Sequence, residues 1–352
     1  MDKLFDPNGV GVANGNYYGL PFSEAEADLV LVEAPWDVTV SYGDGTADGP
    51  EAIREASTQL DLYDADYPDA WRRGIAALAP DELMREQSRV WRAQAKNVID
   101  ALEEGCDAES IAPQLAAING ACEQMNNQVY QKVAPLIKQG KLVGLVGGDH
   151  STPYGAVRAV AEQHSGFGVL HFDAHRDLRE AYEGFEFSHA SIMYNLLRDV
   201  PQMERLVQVG VRDFCDAEQE LADTNERVVS FTDRTLSRAR FEGKTWAELC
   251  TTIVDALPAK VYVSFDIDAL GIEYCPSTGT PVVGGLSFNE AAYLISRVVE
   301  SGRRIIGFDL VEVAPSPTGC IDQMVGARML YKLCCATLTS QTAKQLKQRK
   351  IL

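Results

Sequence analysis

Seven short runs of nearly continuous apolar residues are spaced along the chain, and such runs are typical of strands buried on both faces. They lie at residues 29–32, 142–146, 167–172, 206–209, 227–231, 260–265 and 304–310. Segments with helical spacing of apolar residues separate them, at residues 81–105, 110–139, 153–164, 189–199, 244–256, 287–301 and 320–340. This alternation predicts one doubly wound α/β domain with a parallel sheet.

The chain has no Pro- or Ser-rich linker and no internal repeat. We therefore expect a single domain over residues 26–352. A stretch near residues 60–110 is rich in Asp, Glu, Ala and Arg and predicts a helical insertion at the edge of this domain. Residues 1–25 contain turn signals and predict an ordered arm or a subunit contact, with a disordered segment as the alternative.

Composition excludes several classes of protein. Among 352 residues, 46% are hydrophobic and 24% are charged, which excludes a disordered or collagen-like chain. The 32 basic residues against 51 acidic ones give a formal net charge of −19, and this charge repels nucleic acid and anionic membrane surfaces. Residues 1–7 contain no apolar signal core, so we expect a cytoplasmic protein.

Three of the predicted strands run directly into polar motifs. The motifs are GGDHS at residues 147–151, DAHRD at residues 173–177 and DID at residues 266–268. In open α/β sheets, ligands bind beyond the carboxyl ends of the strands, so these three segments are the candidates for a functional site.

Alternation along an extended chain groups the side chains of these motifs. Residues two apart point to the same face, so Asp173, His175 and Asp177 should project together. Asp266 and Asp268 should do the same.

A lone His150 fits an ordinary loop histidine, and a lone DxD motif fits a helix cap or turn. Together, however, four carboxylates and two imidazoles would repel strongly if left bare. Two divalent cations would cancel the four carboxylate charges, so the sequence predicts a binuclear metal centre. Such ligands suit Mn, Fe, Co, Ni or Zn, and of these we expect Ni²⁺ or Mn²⁺.

These motifs resemble those of the ureohydrolase family, which includes arginase, agmatinase, guanidinobutyrase, formiminoglutamase and guanidine hydrolase. Residues 42–54 resemble the family's glycine-rich turn and the helix that follows it, and residues 278–286 resemble its post-metal loop. Residues 307–313 resemble its last core strand. The resemblance covers about residues 30–340 in order, and it implies a three-layer, arginase-like α/β/α fold and a homotrimer or homohexamer.

The resemblance also implies the metal ligands. One ion would be bound by His150, Asp173, Asp177 and Asp266. The other would be bound by Asp173, His175, Asp266 and Asp268. In this assignment Asp173 and Asp266 bridge the two ions.

Three catalytic roles follow from the same resemblance. His189 matches the acid/base histidine, and Glu312 matches the carboxylate that pairs with the guanidinium of the substrate. Asp177 would hold a proton from the attacking water. The alternatives are a surface histidine at position 189 and a structural ion pair at Glu312.

The substrate is predicted from departures from the family pattern. Arg179 occupies the position where arginases usually have an asparagine that binds the amino-acid end of arginine. The altered loop at residues 271–276 carries the bulky Ile272, Glu273 and Tyr274, which should narrow the mouth of the site. The arm over residues 5–22 resembles the guanidine hydrolase branch.

We therefore expect free guanidine to be hydrolysed to urea and ammonia in nitrogen metabolism. The alternatives are agmatine and arginine, which would yield putrescine and ornithine with urea, and 4-guanidinobutyrate. Arg179 favours the last two, because it could bind a carboxylate.

Two hypotheses from other classes remain. A metal-free, non-catalytic scaffold should have lost a metal ligand, but all six are present. A deacetylase-like enzyme typically uses one zinc ion and a different ligand set, so the paired DxHxD and DxD motifs argue against it.

Overall fold

The apolar runs form one central sheet of eight parallel strands in the computed structural model, which describes residues 5–316 and 318–341. In chain order the strands are β1 (Leu29–Ala34), β2 (Ile75–Ala77), β3 (Leu142–Gly147), β4 (Phe167–Phe172), β5 (Met203–Val209), β6 (Val228–Phe231), β7 (Lys260–Asp266) and β8 (Arg304–Val311). Their order across the sheet is β2-β1-β3-β8-β7-β4-β5-β6.

Ten α-helices lie within the described residues. They are α1 (Gly49–Ser57), α2 (Glu82–Glu103), α3 (Ala108–Lys138), α4 (Tyr154–Gln163), α5 (Ile192–Asp199), α6 (Asp216–Thr224), α7 (Asp233–Phe241), α8 (Trp246–Asp255), α9 (Phe288–Glu300) and α10 (Ile321–Ser340).

Alternating strand residues pack into different layers of the core. In β1, Leu29 and Leu31 join a cluster with side chains of α1 and α7–α10. Val30 and Val32 join a second cluster with α2, α3 and α4. The sheet is therefore covered on both faces, and the predicted three-layer α/β/α fold is confirmed.

All seven predicted strands are present, but the sequence prediction omitted β2, α6 and α7. β2 has only three residues at the edge of the sheet, too few to show a pattern. α6 and α7 bury one residue each, Glu218 and Leu236, so neither has an apolar stripe for periodicity to detect.

The predicted arm contains two residues that are anchored in the core. The hydroxyl of Tyr17 donates to Oε1 of Glu33 at 2.9 Å, and the main-chain N–H of Tyr18 donates to Oγ of Ser57 at 2.8 Å. The division into an arm at residues 1–25 and a domain at residues 26–352, with an insertion near residues 60–110, stays a prediction. Residues 1–4 and 342–352 lie outside the described residues.

No helix in the described part of the chain is both long and apolar enough to span a membrane.

The sheet order determines where the site lies. β3, β8, β7 and β4 are four consecutive neighbours in the sheet, and they are parallel. Their carboxyl ends therefore meet at one edge. Each of the predicted site residues except His189 follows or ends one of these four strands.

Candidate metal centre

Close backbone packing positions His150 after β3. Gly148 lies against the main-chain carbonyl of Trp36, where a Cβ atom would collide with it. The main-chain N–H of Asp149 donates to the same carbonyl at 2.8 Å. These contacts fix the turn, and His150 is buried at the carboxyl edge of the sheet.

Nδ1 of His150 faces three carboxylates. It lies 2.9 Å from Oδ2 of Asp173 and 3.1 Å from Oδ2 of Asp177. Oδ2 of Asp266 is 3.2 Å away. The structure thus brings together all four residues predicted for the first metal ion.

A second group adjoins the first through Asp173. Nδ1 of His175 lies 3.1 Å from Oδ2 of Asp268 and 3.4 Å from Oδ1 of Asp173. Asp173 therefore presents one oxygen to each histidine, as a bridging carboxylate would. Oδ1 of Asp266 accepts the main-chain N–H of Asp268 at 2.8 Å, so a bridge between the two ions would use Oδ2 of Asp266. The bridging role of Asp266 stays a prediction.

A hydrogen-bonded chain determines which nitrogen of His150 carries a proton. Oγ of Ser264 donates to Oδ1 of Asp309 at 2.9 Å, so it can accept from Nε2 of His150, which is also 2.9 Å away. In neutral His150, a proton on Nε2 leaves a lone pair on Nδ1, the atom that faces the carboxylates. Partners of this kind orient metal-binding histidines.

Unpaired buried atoms show that this donor set fits divalent cations. Within the described residues, Nδ1 of His150, Oδ2 of Asp177 and Oδ2 of Asp268 are buried and make no hydrogen bond. Buried polar atoms are rarely left without a partner. Imidazole nitrogens and carboxylate oxygens that converge in this way are the ligands that divalent transition metals bind.

The protein groups perturb one another's ionisation strongly. Burial and the charge of Asp173 raise the pKa of Asp177 to about 7. Burial opposes ionisation of Asp173, but the neighbouring histidines outweigh it and hold its pKa well below its usual range. Burial also opposes protonation of His150, but Asp173, Asp177 and Asp266 together raise its pKa. Binding of cations would therefore displace protons from this cluster.

Asp177 has a left-handed backbone conformation, with a φ of 56°. Its carbonyl accepts the main-chain N–H groups of Met193 and Tyr194, at 3.0 Å and 3.1 Å. A non-glycine residue in this region is uncommon and persists where its surroundings impose it. The start of α5 thus holds Asp177 in the orientation that directs its side chain at His150.

Glu312 follows β8 and also has a positive φ, of 62°. Oγ1 of Thr278 donates to its carbonyl at 2.8 Å, and its Oε1 accepts the main-chain N–H of His150 at 2.8 Å. Oε2 is buried without a hydrogen bond to any described residue. Burial and the nearby Asp149 raise the pKa of Glu312, so a cation at Oε2 would relieve an unfavourable environment.

His189 lies at the start of the short 3₁₀ turn that leads into α5. Ser188 caps this turn by accepting the N–H of Ala190, and Nε2 of His189 lies 3.4 Å from Oγ of Ser41. Burial and the charge of His175 lower the pKa of His189 to about 3, so it is neutral at pH 7. His189 is buried beside the candidate metal centre, so the alternative of a surface histidine at this position is excluded.

A cavity of about 510 Å³ opens beside His175, Asp177 and His189. Arg179 and Glu218 lie in its wall, with Nε of Arg179 3.6 Å from Oε2 of Glu218. The other lining residues are Ser41, Tyr42, Tyr182, Ala190, Asp213, Phe214, Cys215, Thr280, Pro281 and Val282.

The expectation of a narrowed mouth stays a prediction. Ile272, Glu273 and Tyr274 are not among the residues that line this cavity. The main-chain N–H of Gly271, at the start of the altered loop, donates to the carbonyl of Leu286 at 2.9 Å.

The sequence prediction omitted one histidine of the centre. Among the described residues, the donor atoms of His150, His171, Asp173 and Asp177 lie within 4.8 Å of one another, and those of Asp173, His175 and Asp268 do the same. The alternation that grouped Asp173 with His175 extends two residues back to His171, so the signal was available.

A profile described as "Arginase family" matches residues 27–335 of the chain. An N(1)-aminopropylagmatine ureohydrolase from Thermus thermophilus is 32% identical over 308 residues, which cover 87% of this chain and 89% of that protein. The protein of the same name from Synechocystis is 29% identical over 315 residues, which cover 88% and 89%.

A solved structure of another protein has the same fold as this chain. The agmatine ureohydrolase of Thermoplasma volcanium superposes with a TM-score of 0.70 at 23% identity, over 96% of this chain and 97% of that one. The predicted arginase-like architecture is therefore confirmed.

Proposed function

This chain belongs to the arginase family and is a ureohydrolase, and we propose that its substrate is a guanidino compound with a cationic amine at the end of its tail, as in agmatine. The two relatives described above are named for a substrate of this kind. The observation that carries the proposal is the charge of the cavity wall.

Three charged side chains lie along the outer part of the cavity. Arg179 faces Glu218, so the two charges offset each other. Asp213 is exposed, and its carboxylate makes no hydrogen bond or ion pair with the described residues. This leaves one net negative charge, which attracts an ammonium group and repels the carboxylate of arginine or 4-guanidinobutyrate.

The head of the substrate is proposed to bind at Glu312. One oxygen of this carboxylate is held by His150, and the other, Oε2, is left for a planar guanidinium. A Cβ atom at Gly279 would lie 3.1 Å from Oε2, so the absence of a side chain there keeps the approach open.

His150, Asp173, Asp177 and Asp266 would hold one divalent ion, and Asp173, His175, Asp266 and Asp268 the other. When bound, the ions supply Lewis acidity and lower the pKa of a water molecule. The choice between Ni²⁺ and Mn²⁺ is not decided by ligands of this type.

Proton transfer is assigned to Asp177 and His189. Asp177 lines the cavity, and its Oδ2 makes no hydrogen bond with the described residues, so its carboxylate is placed to take up the proton of the attacking water. His189 is neutral, so it must accept a proton before it can deliver one to the leaving nitrogen. The bond between the guanidino carbon and the tail nitrogen then breaks, and urea and an amine leave.

Free guanidine is the second candidate. Glu218 offsets the charge of Arg179 at a separation of 3.6 Å, but the guanidinium of Arg179 lies 4.6 Å from the ring centre of Tyr182 in the cavity wall, so a cationic tail that contacted it directly would still be repelled. A substrate without a tail would avoid this repulsion.

Urea release from a panel of substrates tests the proposal. The manganese- and nickel-loaded protein is assayed with agmatine, guanidine, arginine and 4-guanidinobutyrate. We expect the highest kcat/KM for agmatine. A higher kcat/KM for guanidine would replace the first candidate with the second, and no urea from any guanidino compound would contradict the ureohydrolase activity itself.

A variant pair tests the role of Asp213. Asp213→Asn should lower kcat/KM for agmatine by about two- to fivefold, the scale of an exposed ion pair, and leave that for guanidine unchanged. Asp216→Asn is the matched control, because Asp216 is exposed nearby but does not line the cavity. Equal effects of Asp213→Asn on both substrates would contradict a role in binding the tail.

A further inference from the structure

His171 is a buried histidine to which the reaction above assigns no role. It lies in β4, and its Nε2 is 2.8 Å from Oδ2 of Asp173. The same oxygen lies 2.9 Å from Nδ1 of His150. His171 could therefore either bind a metal ion through Nε2 or donate a hydrogen bond to Asp173, and the position of its proton decides between the two.

Gln208, on the neighbouring strand β5, controls that proton. Its side-chain orientation is determined by Arg176. Nη1 of Arg176 lies 3.1 Å from the oxygen Oε1 of Gln208, and a guanidinium can only donate. The carbonyl of Arg176 lies 2.8 Å from Nε2 of Gln208, and a carbonyl can only accept.

Further contacts hold the same arrangement. Oγ of Ser230 donates to Oε1 of Gln208 at 3.1 Å. Nη2 of Arg176 donates to Oε1 of Gln219 at 2.7 Å, and its guanidinium carbon lies 4.1 Å from the ring centre of Phe214. Arg176 is 1% exposed, so water does not compete for these bonds.

The amide nitrogen of Gln208 is consequently a donor, and it lies 3.2 Å from Nδ1 of His171. Nδ1 must accept this bond, so in neutral His171 the proton is on Nε2. A nitrogen that carries a proton has no lone pair for a metal ion. It can donate to Oδ2 of Asp173.

We propose that His171 is a positioning residue and not a metal ligand: it holds the carboxylate of Asp173 in place through a proton that Arg176 and Gln208 keep on Nε2. This inference rests on the metal centre of the proposed function. A series of hydrogen bonds then links four residues, Arg176, Gln208, His171 and Asp173. It leads from the loop after β4 and from β5 to the carboxylate that the two ligand groups share.

The protonation of His171 can be observed directly. The protein has five histidines, so ¹⁵N-histidine labelling gives a simple spectrum, and zinc-loaded protein avoids paramagnetic broadening. The signals of His171 are identified by their loss in His171→Gln. We expect a proton on Nε2 and none on Nδ1, with and without zinc. A proton on Nδ1, with an Nε2 signal that shifts to that of a metal-bound nitrogen when zinc is added, would overturn the proposal.

Metal affinity gives a second, independent readout. His171→Leu should weaken Mn²⁺ binding by roughly 10- to 100-fold, the usual cost of losing such a partner. His171→Gln should keep most of the affinity, because its amide can still donate to Asp173. Gln208→Leu should weaken binding as well, because it frees the proton of His171 to move to Nδ1.

The control is His164→Leu, which removes a histidine at the carboxyl end of α4 and should leave Mn²⁺ binding unchanged. An equal loss in His171→Gln and His171→Leu would overturn the proposal, because it would mean that the imidazole itself is a ligand. If wild-type protein bound no Mn²⁺, the proposed metal centre would be contradicted. The ¹⁵N spectrum would still show which nitrogen of His171 carries the proton.

Discussion

The main-chain N–H of His150 donates a 2.8 Å hydrogen bond to Oε1 of Glu312. This bond joins the turn that carries a predicted metal ligand to the carboxylate predicted to bind the substrate. It also leaves only Oε2 of Glu312 for the guanidinium, so the position of the head group is coupled to that of the metal centre.

Glu312→Gln should raise KM for every guanidino substrate by about 10- to 100-fold, the scale of a hydrogen bond to a charged group. The amide oxygen of glutamine can still accept the N–H of His150, so metal content and fold should be preserved. Steady-state kinetics and elemental analysis of the same preparation check this. An unchanged KM would mean that the guanidinium binds elsewhere.

Gly279→Ala should also raise KM without loss of metal, because the added Cβ would lie 3.1 Å from Oε2 of Glu312. The control is Gly120→Ala in α3, where an added Cβ meets no heavy atom within 4 Å. Michaelis constants of the two variants are compared with that of the wild type. If Gly279→Ala behaved like Gly120→Ala, the approach to Oε2 would not be limited by space at this residue.

His189→Ala should lower kcat by roughly 10²-fold, the scale of losing a general acid or base, and should leave the metal content unchanged. Turnover and bound metal are measured together. Loss of a metal ion in this variant would identify His189 as a ligand and contradict its proposed role in proton transfer.

His189 should also make stability depend on pH. Burial and His175 lower its pKa from the ordinary 6.5 to about 3, so between these values the folded chain binds fewer protons than the unfolded chain. Stability should therefore fall as pH falls through this window.

His189→Gln removes this contribution, so the melting temperature of the wild type relative to the variant should decline from pH 7 to pH 4. Thermal unfolding with chelator in both samples excludes metal release as the cause. A difference in Tm that does not change with pH would contradict the low pKa.

The sequence was sufficient to predict seven of the eight strands and the convergence of the candidate ligands, because both depend on simple periodicities. Buried strands produce continuous apolar runs, and parallel strands bring the residues after them to one edge. His150, Asp173 and Asp266 are far apart in the chain, yet their donor atoms converge as predicted.

Other features depend on contacts that periodicity does not encode. The proposed role of His171 depends on the orientation of the side-chain amide of Gln208. Arg176, in the loop after β4, determines that orientation. Which residues line the cavity depends on where the loop at residues 271–276 folds. Its bulky residues suggested a narrow mouth, but Ile272, Glu273 and Tyr274 do not line the cavity.

The proposed binuclear centre consists of two groups of ligands that share Asp173. Elemental analysis of the wild-type protein, reconstituted with Mn²⁺ or Ni²⁺ and freed of excess metal, should give close to two ions per chain, and Asp173→Ala should lose both because its two oxygens face His150 and His175. One ion or none in the wild type, or two ions retained in Asp173→Ala, would contradict the binuclear centre.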